Sequence, residues 1–219
     1  RLSNPGETSL DCTLALAIRP LQVNPPSQFL NTVGGVSRIE RLAIEDATVR
    51  VDGRPRVFAM QAPDDAFVTP FDAGLDVMRL ASGDLPPDTA VEDLTGLASG
   101  MLLYRWRLAP GQVREVALVV PLSGPARVPE GFDAPHAAAA TEAMWQAHLG
   151  QVQLRLPPAG RELADTVHTA LGHMLVSRIG PSLQPGTRSY SRSWIRDGAM
   201  IAEGLLRLGR PEVVREYLE

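Results

Sequence analysis

Hydrophobic positions change period partway along the chain. In the first half they alternate. Leu10, Cys12, Leu14, Leu16 and Ile18 keep a clean period of two, which predicts a strand with one buried face. Shorter alternating runs at 39–44, 48–51, 57–60, 66–69 and 76–80 predict further strands, and 101–108 and 113–122 predict the two longest. Asp52-Gly53 and Pro110-Gly111 read as tight turns between them. About eight strands with short connections leave no room for crossover helices, so the expected arrangement is an antiparallel β-sandwich.

A segment rich in proline and glycine, 123–135, reads as a boundary. Residues 136–149 then predict an alanine-rich helix with Met144, Trp145, His148 and Leu149 on one side. Residues 151–156 alternate again and read as a short extended linker closed by Pro157-Pro158. Beyond Gly160 the period becomes helical. Leu163, Val167, Leu171, Leu175 and Ile179 recur every four residues and predict a helix that Gly180 stops. A second helix is expected from about Gly198 until Gly209-Arg210-Pro211, and a third opens at Pro211. The division is therefore a sandwich over 1–133, a linker helix and extended linker over 134–156, and helical hairpins over 157–219.

Composition narrows the function classes. The chain has 219 residues, 44% hydrophobic and 21% charged, an ordinary globular balance that argues against wholesale disorder. No apolar run is long enough for a membrane helix. The net charge is −4, and all 21 positive charges are scattered arginines, which argues against a nucleic-acid surface. Cys12 is the only cysteine, so an intrachain disulfide and a cysteine metal cluster are both excluded. It is expected to be a buried strand residue. A reducing cytosol fits that cysteine usage and so does a periplasm, so the compartment stays open. The chain opens on Arg1 and stops at Glu219 inside a helical stretch, which reads as a fragment of a longer protein.

The chemistry concentrates in the loop before the second helix. Arg188, Tyr190, Arg192, Trp194, Arg196 and Asp197 fall within ten residues. Aromatic rings beside forked donors and a carboxylate suit a sugar, because a ring stacks on the apolar pyranose face while the charged groups take paired hydroxyls. A purely structural reading stands beside it. In that reading Asp197 caps the helix, Arg196 forms an ion pair and Trp194 fills the core. Asp64-Asp65 is a tempting acid pair, but adjacent strand residues point to opposite faces, so a solvated turn is expected. His168 and His173, five apart on one helix, do not share a face, and no metal site is expected from them.

Tyr190-Ser-Arg-Ser-Trp-Ile-Arg-Asp-Gly-Ala199, followed by an apolar helix ending in Leu205-Leu206-Arg207-Leu208-Gly209, resembles the six-hairpin glycosidases, including the bacterial glucoamylase-like and glycogen-debranching-like enzymes. The Trp-x-Arg-Asp element at 194–197 carries the resemblance. The order sandwich, linker helix, helical hairpins is similar as well, and so, more weakly, is the stretch 18–25 with Gly34-Gly35. The resemblance implies an antiparallel β-sandwich followed by the first helical hairpins of a truncated (α/α)6 barrel. It implies a glycoside hydrolase acting on α-glucosides or related oligosaccharides by general acid–base hydrolysis, with no cofactor. It places Arg196, Asp197, Trp194 and Tyr190 around the terminal non-reducing sugar. The general acid and base of such enzymes come from later hairpins, so no catalytic residue is expected within 1–219, and the fragment alone is expected to be inactive. Hydrolysis with inversion needs two facing carboxyl groups with room for water, and no such pair is legible here. The alternative is a non-catalytic carbohydrate-binding or structural sandwich module.

Overall fold

A computed structural model of the chain describes residues 1–22, 35–122, 124–187 and 190–219. Part of the weaker resemblance, Val23 to Gly34, and the candidate Arg188 lie outside the described residues. The chain divides into two compact units. Antiparallel sheets form the one before Asp133, and helices form the one after Phe132.

The β unit runs β1 (Leu2–Ser3), β2 (Leu10–Ile18), β3 (Leu21–Gln22), β4 (Gly35–Val36), β5 (Arg41–Glu45), β6 (Thr48–Val51), β7 (Arg54–Ala59) and β8 (Asp65–Thr69). A 3-10 turn, Phe71–Ala73, leads into α1 (Asp76–Ser82). Then come β9 (Ala90–Glu92), β10 (Ser99–Leu108), β11 (Val113–Arg114) and β12 (Leu118–Val119). One sheet is ordered β2-β10-β8, the other β12-β7-β6-β5-β9, and β1-β11 and β3-β4 form two small ribbons. All the strand pairs are antiparallel.

The long strand β10 sets the core. Its register against β2 runs from Gly100↔Ile18 to Leu108↔Leu10. Successive side chains leave on opposite faces. Leu102 and Tyr104 pack with Leu42, Ile44 and Val49 of the five-stranded sheet. Met101 and Leu103 pack with Phe67 on the other face, where Leu80 of α1 covers them. A strand buried on both faces is nearly continuously apolar, as Met101 to Tyr104 is.

That second buried face explains one correction. Residues 76–80, expected as a strand, form α1. The outer face of β8 and β10 needs an apolar lid, and a helix turns Leu80 toward it. Gly83, at φ 74°, closes the helix with its N–H on the Arg79 and Leu80 carbonyls. The expected long strand at 113–122 is also broken. Val113–Arg114 pairs with β1 while Leu118–Val119 pairs with β7, so the chain passes from one sheet to another between them. Asp52-Gly53 does form the expected hairpin turn, with φ 51° and 77°. Asp46-Ala47 forms another at φ 45° and 63°, which nothing in the sequence signals. Pro110-Gly111 turns tightly too, with Gln112 N–H on the Ala109 carbonyl at 3.0 Å. Cys12 is half-buried and free.

Asp93 ties the 3-10 turn to the sheet edge. Its carboxylate accepts the Thr95 hydroxyl (2.6 Å), the Thr95 N–H (2.8 Å) and the Phe71 N–H (2.7 Å). The Thr95 hydroxyl, and then the Phe71 N–H, hold its carboxyl below the usual aspartate value of 3.8. A depressed folded value stabilises the protein above the unfolded value and loses that contribution as pH falls through the folded one. Urea midpoints of the wild type should therefore fall as the pH drops below about 3.8. Asp93→Asn should be less stable at pH 7 and show a shallower acid decline. An unchanged acid slope would refute the assignment.

The helical unit contains α2 (Ala134–Leu149), a 3-10 turn (Pro158–Gly160), α3 (Arg161–Val176), α4 (Ile195–Arg207) and α5 (Pro211–Leu218). Residues 153–157 carry no regular structure. Three boundaries differ from the sequence expectation, the first being α2, which starts at Ala134, two residues before His136. Helix α3 ends at Val176, and the apolar period that continues to Ile179 is misleading. Ile179 and Ser182 instead exchange backbone hydrogen bonds (3.3 and 3.1 Å) around Gly180-Pro181. Helix α4 begins at Ile195, three residues before Gly198. Leu171, Leu183, Ala202, Leu205, Val213 and Val214 form the core of this unit. Arg210, buried at the start of α5, donates to the His148 carbonyl (3.0 Å) at the end of α2 and pairs with Glu212 at 2.6 Å. It satisfies a carbonyl that a helix end leaves open.

Candidate functional site

The early start of α4 changes the role of every residue in the 194–197 element. Trp194 occupies the N-cap position in extended conformation and makes no side-chain cap bond. Asp197 is the third residue of the helix and not its cap. A carboxylate in the first turn is favoured by the helix dipole. The Gly198 N–H already bonds the Trp194 carbonyl at 2.7 Å.

Asp197 is the best-placed polar group of the unit. Its side chain is only 26% exposed, and its Oδ2 is sealed from water without a hydrogen-bond partner among the described residues. The Arg196 guanidinium stands 3.6 Å from that oxygen but is itself 80% exposed. Asp197 lines a groove of about 430 Å³ between α3 and α4, together with His173, Met174, Ser177, Gln184 and Met200. Gln184 is buried, and its Oε1 accepts the Ser191 hydroxyl at 3.1 Å. That bond fixes the loop against the groove.

Gly198 permits the close approach behind Asp197. A Cβ there would lie 2.0 Å from the Tyr217 hydroxyl, so α5 rests directly on the first turn of α4.

The sequence candidates separate. Asp197 is on the groove wall. Arg196 points a solvated charge outward, and its one ion pair among the described residues is with its neighbour. Tyr190 and Trp194 form a tilted pair, with centroids 6.2 Å apart and planes at 56°. Both rings are exposed on the loop that leads into α4, and neither is on the described groove wall. The groove partners Ser177 and Gln184 were not singled out by the sequence, and His173 was weighed only as a metal ligand. Ala170, His173, Met174 and Ser177 do follow one helix face, but polar residues on a mostly apolar face give no signal by themselves.

The other acid and histidine candidates resolve differently. Asp64 and Asp65 are both solvent-exposed, Asp64 in the bend before β8 and Asp65 at its first residue. Asp64 accepts the Arg105 N–H at 2.6 Å, and Asp65 pairs with the Arg105 guanidinium at 3.2 Å, so both carboxylates secure β10. His168 lines a different groove beside Trp145, one that His173 also borders. Among the described residues no group of three or more His, Cys, Asp or Glu side chains could hold a metal ion. No helix is long and apolar enough to cross a membrane, among the described residues.

One carboxylate with an imidazole, a hydroxyl and a buried amide can exchange hydrogen bonds with a polyhydroxylated molecule. A lone carboxylate cannot supply both the acid and the base of an inverting hydrolysis. Comparison of the chain with protein-family models, with curated proteins and with solved structures finds no match.

Proposed function

We propose that this chain is part of a glycoside hydrolase acting on α-glucosides or related oligosaccharides, and that the α3–α4 groove contributes to holding a terminal sugar. One observation carries the reading. The Asp197 carboxylate is half-sealed in a groove, and its Oδ2, 3.6 Å from the exposed Arg196 guanidinium, makes no hydrogen bond among the described residues. A pair of sugar hydroxyls would supply the missing donors. The exposed Tyr190–Trp194 pair offers an apolar ring face on the same loop.

The helical unit also leaves apolar side chains uncovered. Ile195 is 89% exposed, and Met200 and Leu218 are largely exposed as well. Uncovered apolar faces on consecutive helices fit the first hairpins of a larger (α/α)6 barrel. In this reading the general acid and base come from later hairpins of such a barrel, and the residues described here position substrate. Residues 1–219 alone would bind without turnover.

The test is a titration of the chain with maltotriose, followed residue by residue by heteronuclear NMR. The expected result is saturable shifts around His173, Gln184 and Asp197. Asp197→Ala should weaken binding by roughly tenfold or more, the equivalent of about 1.4 kcal/mol. Shifts confined to the β unit would favour the non-catalytic carbohydrate-binding module. No saturable shift with any α-linked oligosaccharide would remove the sugar reading.

A further inference from the structure

The β unit holds a second unfinished site, unrelated to the sugar reading. A cavity of about 380 Å³ lies between the 3-10 turn Phe71–Ala73, the start of α1 and the beginning of β10. Pro20, Leu21, Phe71, Leu75 and Leu97 give it apolar walls. Leu21, Phe71 and Leu75 are exposed there.

Asp76 also lines this cavity and is only 2% exposed. Its Oδ1 accepts the Thr69 hydroxyl, which in turn lies 3.3 Å from the Ser99 hydroxyl. Its Oδ2 is sealed from water and has no hydrogen-bond partner among the described residues. The nearby guanidinium of Arg79 is engaged by the Ala73 carbonyl and by Asp84. Burying a carboxylate with one oxygen unsatisfied is costly, and a donor with positive charge offsets that cost best. Uncovered apolar walls and an unsatisfied buried acid are independent features, and they meet in one cavity.

We propose that this cavity binds a small apolar primary amine. The hydrocarbon body covers Phe71 and Leu75. The ammonium group completes Asp76 after a small rotation of the carboxylate toward the cavity. Arg19 is also on the wall, but it is solvent-exposed, where its repulsion is screened. A single aromatic ring with a short amino chain fits a cavity of this size.

The test uses the whole chain and two isosteric probes, phenethylamine and phenethyl alcohol, in heteronuclear NMR titrations. The amine should shift the amides of 71–76 and Ser99 saturably, with affinity about tenfold or more above the alcohol. Asp76→Asn should remove that preference. Leu75→Arg, at an exposed wall position, should abolish amine binding while leaving the thermal melt unchanged. The proposal is overturned if the amine gives no saturable shift, if its shifts map elsewhere, or if the alcohol binds equally well. It is also overturned if Asp76→Asn keeps the preference. Should Asp76→Asn not fold, amine binding retained by Leu75→Arg overturns it alone.

Discussion

Replacing Gly100 by valine is expected to unfold the β unit, with a loss above about 4 kcal/mol. Gly100 lies in β10, buried where the two sheets meet. A Cβ at this position would stand 2.7 Å from the Phe67 carbonyl oxygen, 2.9 Å from Val68 Cγ1 and 3.2 Å from Leu42 Cδ2. The first of these is backbone of the paired strand β8, so it cannot move without breaking the ladder at Gly100↔Val68. Alanine should already cost about 1–3 kcal/mol through overpacking. Valine adds two methyl groups between Val68 and Leu42. A typical domain has only about 5–15 kcal/mol to lose. Trp106 is the one tryptophan of the β unit, so its fluorescence in a background lacking Trp145 and Trp194 isolates this transition. A Gly100→Val protein with a wild-type urea midpoint would show that the two sheets are not packed as described.

The same strand marks how far the sequence could be read. Alternation found β2 from Leu10 to Ile18 because one face is half-buried and the other open. The Asp52-Gly53 turn was legible because its residues tolerate left-handed backbone. Ala47, at φ 63°, was not, since its conformation is imposed by the flanking strands. Helix α1 was missed for a related reason. Seven residues, Asp76–Ser82, are too few for a period to separate helix from strand. What decides the outcome is the outer face of Met101 and Leu103, about twenty residues later. The break at 115–117 follows from edge pairing with β1 and β7, which is equally non-local.

The candidate site was legible in part. A run of aromatic and charged residues pointed to 190–197, and Asp197 does line a groove. The start of α4 was placed three residues late because Trp194-Ile195-Arg196 carries no capping signal, and the helix indeed begins without a side-chain cap. That shift turns Arg196 outward while Asp197 faces α3. Adjacent helical positions differ by about 100° around the axis, so the two cannot share a wall. His173 and Gln184 come from α3 and the following loop. No local pattern links them to Asp197, because tertiary packing alone brings them together.

Packing of that helical unit is also its weak point, and Leu205→Ala should expose it. Leu205 in α4 is 0% exposed and packs among Leu171 of α3, Leu183 of the loop, and Val213 and Val214 of α5. Its truncation leaves a cavity that the surrounding helices cannot easily close, at a cost of about 2–5 kcal/mol. Among the described residues, only six buried hydrophobic side chains make up this core. A loss of that size should therefore melt α3 to α5 while the β unit persists. Circular dichroism at 222 nm should fall sharply at 25 °C, with Trp106 fluorescence unchanged. The groove depends on the same packing, since α3 and α4 form its walls. Maltotriose shifts at His173 and Asp197 should then vanish together with the helical signal. The exposed Leu206→Ala neighbour serves as the control and should leave both intact, because its side chain is outside the core. Equal losses from the two substitutions would mean that α4 faces its neighbours by a different side, and that the groove geometry around Asp197 is wrong.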